Sequence, residues 1–348
     1  MNDLRRHGVL PTGLSLAWAA VTVSALCAAF VESPVAAEET VLPDAKPVPA
    51  VQVIPLPYDQ ASFEYRGVEL TRYHFGPSLE RPFLYPLIGP GGRGLTRMGH
   101  PHDPTGHSHH NSVWISHHDV GGVNFWADNA QGRIESQRIE QYTDGPDRAW
   151  LLAVNAWKQS SGPVVTADRG PDRVIMIERR RICIEPLADG QWRMLLDLQL
   201  EAPDDRPLTI GQTPFGMIGV RMAKTIGVQD GGGRLLNSEG LLGEPAIFRR
   251  PARWVDYSGP LTSRDDTGGI TLMEHPSNPD HPSPFHVRAD GWMGVCLTLN
   301  GPREILPDKP LRLRYCLWIH HGVPRGDQIE ALWREFAAMQ SPSMQRTP

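Results

Sequence analysis

This chain predicts an all-β fold, a large antiparallel β-sandwich (a supersandwich) with one C-terminal helix. Three observations carry the prediction. Apolar and polar residues alternate with a period of two over long stretches, turn-forming clusters separate those stretches, and no helical pattern falls between successive strands. A parallel α/β sheet needs a crossover between neighbouring strands, usually a helix, so that class is excluded. Gly and Pro number 34 and 33 in 348 residues, so the chain turns often.

Taken in order, the first element is a signal peptide over residues 1–37. Arg5 and Arg6 precede an apolar run over residues 14–30. Val35 and Ala37 then occupy the small-residue positions before a cleavage point ahead of Glu38 and Glu39. The expected location is periplasmic or extracellular. No membrane span remains after signal removal, because no later segment is apolar over the ~20 residues a span needs. Residues 38–57, rich in Pro, Ala and Val, are expected to be a linker or extended lead-in. Residues 58–340 are expected to form a single β-sandwich domain, a size at which such folds occur as one unit.

Within that domain, the Gly-rich residues 89–94 read as a hairpin turn between 83–88 and 95–98. They lack the strand–helix context of a nucleotide loop. Residues 149–158 and 173–185 are strand candidates. Residues 192–201 and 311–320 alternate with period two and are expected to be half-buried strands. Turn clusters at 144–147, 189–190, 202–205 and 231–233 separate them. One helix is expected from Asp327, a candidate N-cap, with Ile329, Leu332, Trp333, Phe336 and Met339 as its apolar stripe. Cys183, Cys296 and Cys316 follow the signal segment. Their odd number leaves at least one thiol free; they read as buried core thiols, with one disulfide left open. A net charge of −5 argues against nucleic-acid binding.

The function signal is a histidine cluster. Seven of the 14 histidines, His100, His102, His107, His109, His110, His117 and His118, lie within residues 100–128. In an extended segment His107 and His109 project to one side and His110 to the other. A His-x-His pair can chelate a divalent metal, or one imidazole can act as general base while another orients it. No carboxylate or Cys stands at a recognisable ligand spacing, so the cofactor stays open. Later segments of the same polar-aromatic texture add Arg221, His275, Asn278 and His286. Arg221 ends an apolar strand pattern, where a guanidinium needs a partner, and Asn278 sits in a tight turn. Read singly, each of these residues is more often a hydrogen-bonded structural group. As a set, His107, His109, His110, Arg221 and His275 are the candidate catalytic residues. Trp114, Asn124, Trp126, Asn278 and His286 are the candidate substrate-binding ones. The histidines, Arg221 and His275 are expected to share one concave pocket. His109 or His110 would be the general base, Arg221 would stabilise developing negative charge, and Trp114 or Trp126 would form the wall.

Several segments, taken together, carry a resemblance. They are Arg81-Pro82-Phe83-Leu84-Tyr85-Pro86-Leu87, His109-His110, Gly122-Val123-Asn124-Phe125-Trp126, Phe215-Gly216 through Arg221, Trp254 through Gly259, and His275-Pro276-Ser277-Asn278-Pro279. Over residues 60–325 the chain resembles the bacterial "methane oxygenase PmoA-like" family, a domain of unknown function. The resemblance implies carbohydrate metabolism, since such proteins often occur beside sugar oxidoreductases and isomerases. It also implies a sandwich similar to those of galactose mutarotases and certain polysaccharide lyases. It does not imply methane oxidation: the membrane subunit of particulate methane monooxygenase is a multi-span helical protein, and this chain has one apolar segment. Two classes of function follow. One is a secreted carbohydrate-active enzyme (lyase, hydrolase or epimerase) acting on a small-molecule or oligosaccharide substrate. The other is a secreted carbohydrate- or metal-binding protein without turnover.

Overall fold

The structure, a computed structural model, describes residues 47–160 and 171–345. The expected signal peptide lies outside the described residues. Only the end of the expected lead-in is described. There Val51–Leu56 is already a strand, paired with Gln60–Tyr65, so the sheet begins inside that segment.

Among the described residues every strand pair is antiparallel. The nine-stranded first sheet runs, in spatial order, Val51–Leu56, Gln60–Tyr65, Val68–His74, Phe83–Leu87, Val113–His117, Gly216–Arg221, Trp292–Cys296, Pro284–Arg288 and Arg250–Pro251. The eight-stranded second sheet runs Arg234–Asn237, Trp254–Pro260, Thr267–Glu274, Leu311–His321, Trp192–Glu201, Arg173–Pro186, Ala149–Gln159 and Gly132–Thr143. One core joins them: Val113, Ile115, Ile218, Val220, Met293 and Val295 of the first sheet share it with Leu151, Ile182, Leu196, Leu317 and Ile319 of the second. The expected antiparallel sandwich is the observed fold.

The period-two strands differ from expectation in one respect. Leu311–His321 is buried on both faces from Leu313 to His320, and Trp192–Glu201 is nearly so. The cause is the C-terminal helix, Gly326–Ala337. It lays Ile329 and Phe336 on the outward side chains Cys316, Trp318, Cys183, Leu195 and Trp254, making a second apolar layer. Alternation shows which residues face the core; it does not show whether the other side is covered. The helix start also differs. Asp327 sits in the first turn, ion-paired with Arg325, while Gln328 Oε1 accepts the Arg325 backbone N–H at 3.0 Å. Cys183, Cys296 and Cys316 are all free and buried, and burial pushes each thiol up to about 12. The 89–94 turn is present, closed by Gly89 N–H donating to the Arg93 carbonyl at 2.7 Å. Beyond it, residues 95–98 make only single bridges.

Candidate functional site

The outward face of the first sheet is built differently from that of the second. Cross-strand partners there run Phe83, Trp114, Gly219, Gly294 and His286. The two glycines leave room for indole rings to lie over the sheet. A Cβ on Gly219 would come within 2.6 Å of the Trp292 ring and 2.8 Å of the Trp114 ring. Trp114, Trp126, Trp292 and Phe83 form a separate aromatic cluster with Phe215 packed against it. Above this floor lies a cavity of about 310 Å³.

Arg81 ties down the walls. Fully buried, it donates to Asn111 Oδ1 at 2.7 Å, to the His109 carbonyl at 3.3 Å and to the Trp126 carbonyl at 3.1 Å, and it pairs with Asp128 at 3.0 Å. Asn124 Oδ1 accepts the backbone N–H groups of Trp126 and Ala127, which fixes the turn that presents the Trp126 ring. Asn124 therefore supports the wall through the backbone.

The histidines are held in defined states. Arg221 donates from Nε and Nη2 to His110 Nδ1 at 3.1 and 2.8 Å. A guanidinium has no acceptor, so Nδ1 must be the bare nitrogen and the ring hydrogen resides on Nε2. Burial first, and the adjacent Arg221 charge next, push the His110 pKa far below the usual histidine range, so the ring stays neutral. The ring stacks on both Trp114 (5.4 Å) and Trp292 (5.4 Å), which touch each other at 5.3 Å. The other arm of Arg221 donates from Nη1 to the Asp290 carbonyl at 2.7 Å and to its Oδ1 at 2.8 Å. Asp290 Oδ2 meets His100 Nε2 at 2.8 Å, and His100 Nδ1 accepts the backbone N–H groups of His102 and Asp103. His100 thus carries its hydrogen on Nε2. Burial opposes ionisation of Asp290, but Arg221 and His100 outweigh it and hold the carboxyl below the usual range.

His107 is arranged the other way round. Its Nδ1 lies 2.7 Å from Asp103 Oδ2, while Asp103 Oδ1 accepts the Gly106 N–H at 2.7 Å. The carboxylate takes the Nδ1 hydrogen, which leaves Nε2 as a bare base. The His107 ring lies 4.9 Å from that of His100, 5.7 Å from His109 and 5.1 Å from His110. His109 is lowered to about 4, by burial and then by Arg81. His286, lowered to about 4 by burial and then by Arg288, faces Phe215 and Trp292.

Of the expected site residues, His107, His109, His110, Arg221, Trp126 and His286 line this cavity, and Trp114 lies beneath the His110 ring. Arg221 is committed to His110 and Asp290, so it positions a histidine rather than meeting an oxyanion. His275 and Asn278 correct the expectation of one shared pocket. His275 accepts from Arg314 at 3.2 Å and sits edge-on to Phe336 under the C-terminal helix. Asn278 brackets the Arg314 backbone, accepting its N–H at 2.7 Å and donating to its carbonyl at 3.0 Å. Both are buried beneath or beside the C-terminal helix and do not line the histidine cavity. Six cavity residues were not among the candidate site residues: His100 and His118, which the sequence placed only in the histidine cluster, and Phe215, Arg288, Asp290 and Trp292. Asp103 escaped as well, although its i, i+4 spacing to His107 was a usable signal.

This donor set offers a divalent metal too few ligands. Nδ1 of His110 is taken by a cation, which keeps the hydrogen on Nε2, and both His100 nitrogens are engaged; that leaves the ring nitrogens of His107 and His109 without a third partner. Among the described residues no three His, Cys, Asp or Glu side chains are disposed to hold an ion. A wider recess of about 570 Å³, between Asp119, Arg173, Asp204 and Arg206, has charged rims but neither histidine nor aromatic platform. It lacks the chemistry of the smaller cavity.

No curated protein matches the chain. Among the solved structures similar to it are two that cover most of the chain. The first is a protein described as a mutarotase, YeaD of Salmonella typhimurium, at 10% identity and TM-score 0.29, covering 80% of this chain and 96% of that one. The second is described as a kojibiose phosphorylase from the human microbiome, at 7% identity and TM-score 0.26. It covers 83% of this chain, which spans only 36% of that protein. At these scores the likeness carries no argument. Neither comparison bears the methane oxygenase name. The family match is extensive, over residues 60–334, and by it the chain belongs to DUF6807, a family of unknown function.

Proposed function

We propose that this protein is a carbohydrate-active enzyme, acting outside the cytoplasm after signal removal, whose small sugar or glycoside substrate binds in the histidine cavity. The observation that supports this most is the pairing within one cavity of a carboxylate-held base, His107, and a neutral donor, His110, over a floor of Trp114 and Trp292. Sugar recognition needs flat apolar platforms beside many hydrogen-bonding groups, and ligand cavities with this make-up run from ~300 to ~1,000 Å³. The observed volume sits at the small end and suits a short ligand better than a polymer.

The test is saturation-transfer NMR with a panel of glycosides and keto-glycosides, with and without EDTA, alongside product analysis. Binding and turnover are expected, unaffected by chelator. Trp126→Ala is expected to weaken binding by about tenfold, or about 1.4 kcal/mol. Binding without any product would make the protein a non-catalytic carbohydrate binder. Activity lost to EDTA and restored by a divalent ion would overturn the metal-free site.

A further inference from the structure

The cavity narrows the reaction class, and this step rests on the sugar reading above. We propose that the site abstracts a proton from carbon next to a carbonyl of the sugar, with His107 Nε2 as the base and His110 Nε2–H donating to the carbonyl oxygen.

Glycoside hydrolysis by the usual routes needs two carboxyl groups flanking the bond. Asp290 is the acidic residue that lines the cavity, and both its oxygens are engaged, one by Arg221 and one by His100. Asp103 is likewise occupied by His107 and Gly106. No carboxyl is left to attack or to protonate a glycosidic oxygen. What the cavity offers instead is one imidazole with a bare nitrogen and one with a fixed hydrogen, their ring centroids 5.1 Å apart. That pair suits a C–H and C=O on neighbouring atoms. A neutral imidazole can share its hydrogen with an enolate oxygen, and the Arg221 contact keeps it neutral.

The step balances as follows. His107 Nε2 takes the proton, and the C–H electron pair becomes the enolate double bond. The carbonyl π pair moves onto oxygen, where it accepts the His110 hydrogen bond. The new charge on His107 faces the Asp103 carboxylate. The enolate then has two exits. Reprotonation by solvent water on the opposite face inverts the carbon, and the resulting hydroxide takes back the proton from His107. Alternatively the carbonyl re-forms, the C–O bond to the β substituent breaks, and the departing oxygen takes the proton from His107. The substrate class is a carbonyl-bearing sugar, such as a keto-glycoside.

The experiment follows deuterium entry by NMR in D2O, with a methyl 3-keto-glucoside as probe and methyl glucoside as the carbonyl-free control. Deuterium is expected at the carbon next to the carbonyl, and none in the control. His107→Ala should slow exchange at least about a hundredfold. Added imidazole should restore part of it, which a merely structural role would not allow. His107 is half-exposed on a loop, so an unchanged thermal midpoint is expected. Cleavage of the carbonyl-free control without deuterium entry would overturn this chemistry and leave the sugar reading standing. Probe binding without exchange, or full exchange in His107→Ala, would also overturn it. No saturation transfer from any sugar would overturn the sugar reading itself, and this step with it.

Discussion

Arg221 and Arg314 occupy corresponding places in the two sheets. Each is buried on the outward side of an inner strand, and each donates to a histidine and pairs with an aspartate. Their histidines differ in what is left over. His275 accepts from Arg314 through Nε2, which puts its hydrogen on Nδ1 to donate to Ser277 Oγ at 2.7 Å, and Phe336 closes over the ring. His110 accepts from Arg221 through Nδ1 alone, and its Nε2 is left to the cavity. The same guanidinium–imidazole pair is a structural clamp where an apolar helix covers it and a tuned hydrogen-bond donor where glycines and indoles leave space. A site needs an unspent nitrogen and room beside it.

The largest expected effect breaks the clamp. Arg314→Met leaves Asp197, which accepts from Arg314 Nε at 2.6 Å, buried without its close partner; Arg181 is 3.9 Å away. Burial already raises the Asp197 carboxyl against the pull of Arg314. Removing one partner of a buried pair costs about 3–5 kcal/mol, which urea unfolding would measure. Catalytic rate per folded molecule should not change. A loss below about 1 kcal/mol would show that the helix, and not the ion pair, holds this face.

Arg221→Met tests the other half. Asp290 keeps His100, and its side chain is 22% exposed, so the stability cost should be about 1–3 kcal/mol, less than at Arg314. The rate should fall about 10- to 100-fold, since a lost partner lets the His110 ring turn and change tautomer. A structural role alone would not move the pH profile. Burial still holds His110 low, but with the guanidinium charge gone its pKa rises, and the acid limb of activity should shift to higher pH than in the parent. An unchanged profile would remove Arg221 from the positioning of His110.

The comparison also explains what the sequence made legible. Strand periodicity placed Arg173–Pro186, Trp192–Glu201 and Leu311–His321 within a residue or so, because alternation is set by one buried face. The texture of His, Arg and Asn beside aromatics marked His275 and Asn278 as readily as His110 and Arg221, so they were expected at the same site; Arg314, the partner that holds His275, was not marked. Texture reports which groups want partners. It does not report whether a helix far downstream, Gly326–Ala337, will seal them in, as Phe336 does. Asp290 and Trp292 were missed for the converse reason. They stand just after the strand that carries His286, but a lone aspartate and a lone tryptophan carry no cluster signal of their own, and the pairing of Arg221 with Trp292 is what brings them to the cavity.

The smallest expected effect sharpens the likeness of the two pairs. His275 is lowered to about 4, by burial and then by Arg314, and His110 is lowered further still. Both are neutral when folded, whereas an unfolded histidine titrates near ~6.5. Between about pH 6.5 and 4 the unfolded chain therefore binds more protons. Stability falls as pH drops through that window and levels off once the folded groups titrate as well. Each such histidine contributes up to about 1.4 kcal/mol per pH unit. His275→Gln and His110→Gln should each flatten the slope of unfolding free energy against pH, measured from pH 6 to 5, by nearly one proton. Equal flattening would show that burial with an adjacent arginine holds both histidines neutral alike and that access to the cavity is what separates clamp from site. A flattened slope in one variant alone would break the electrostatic half of the comparison.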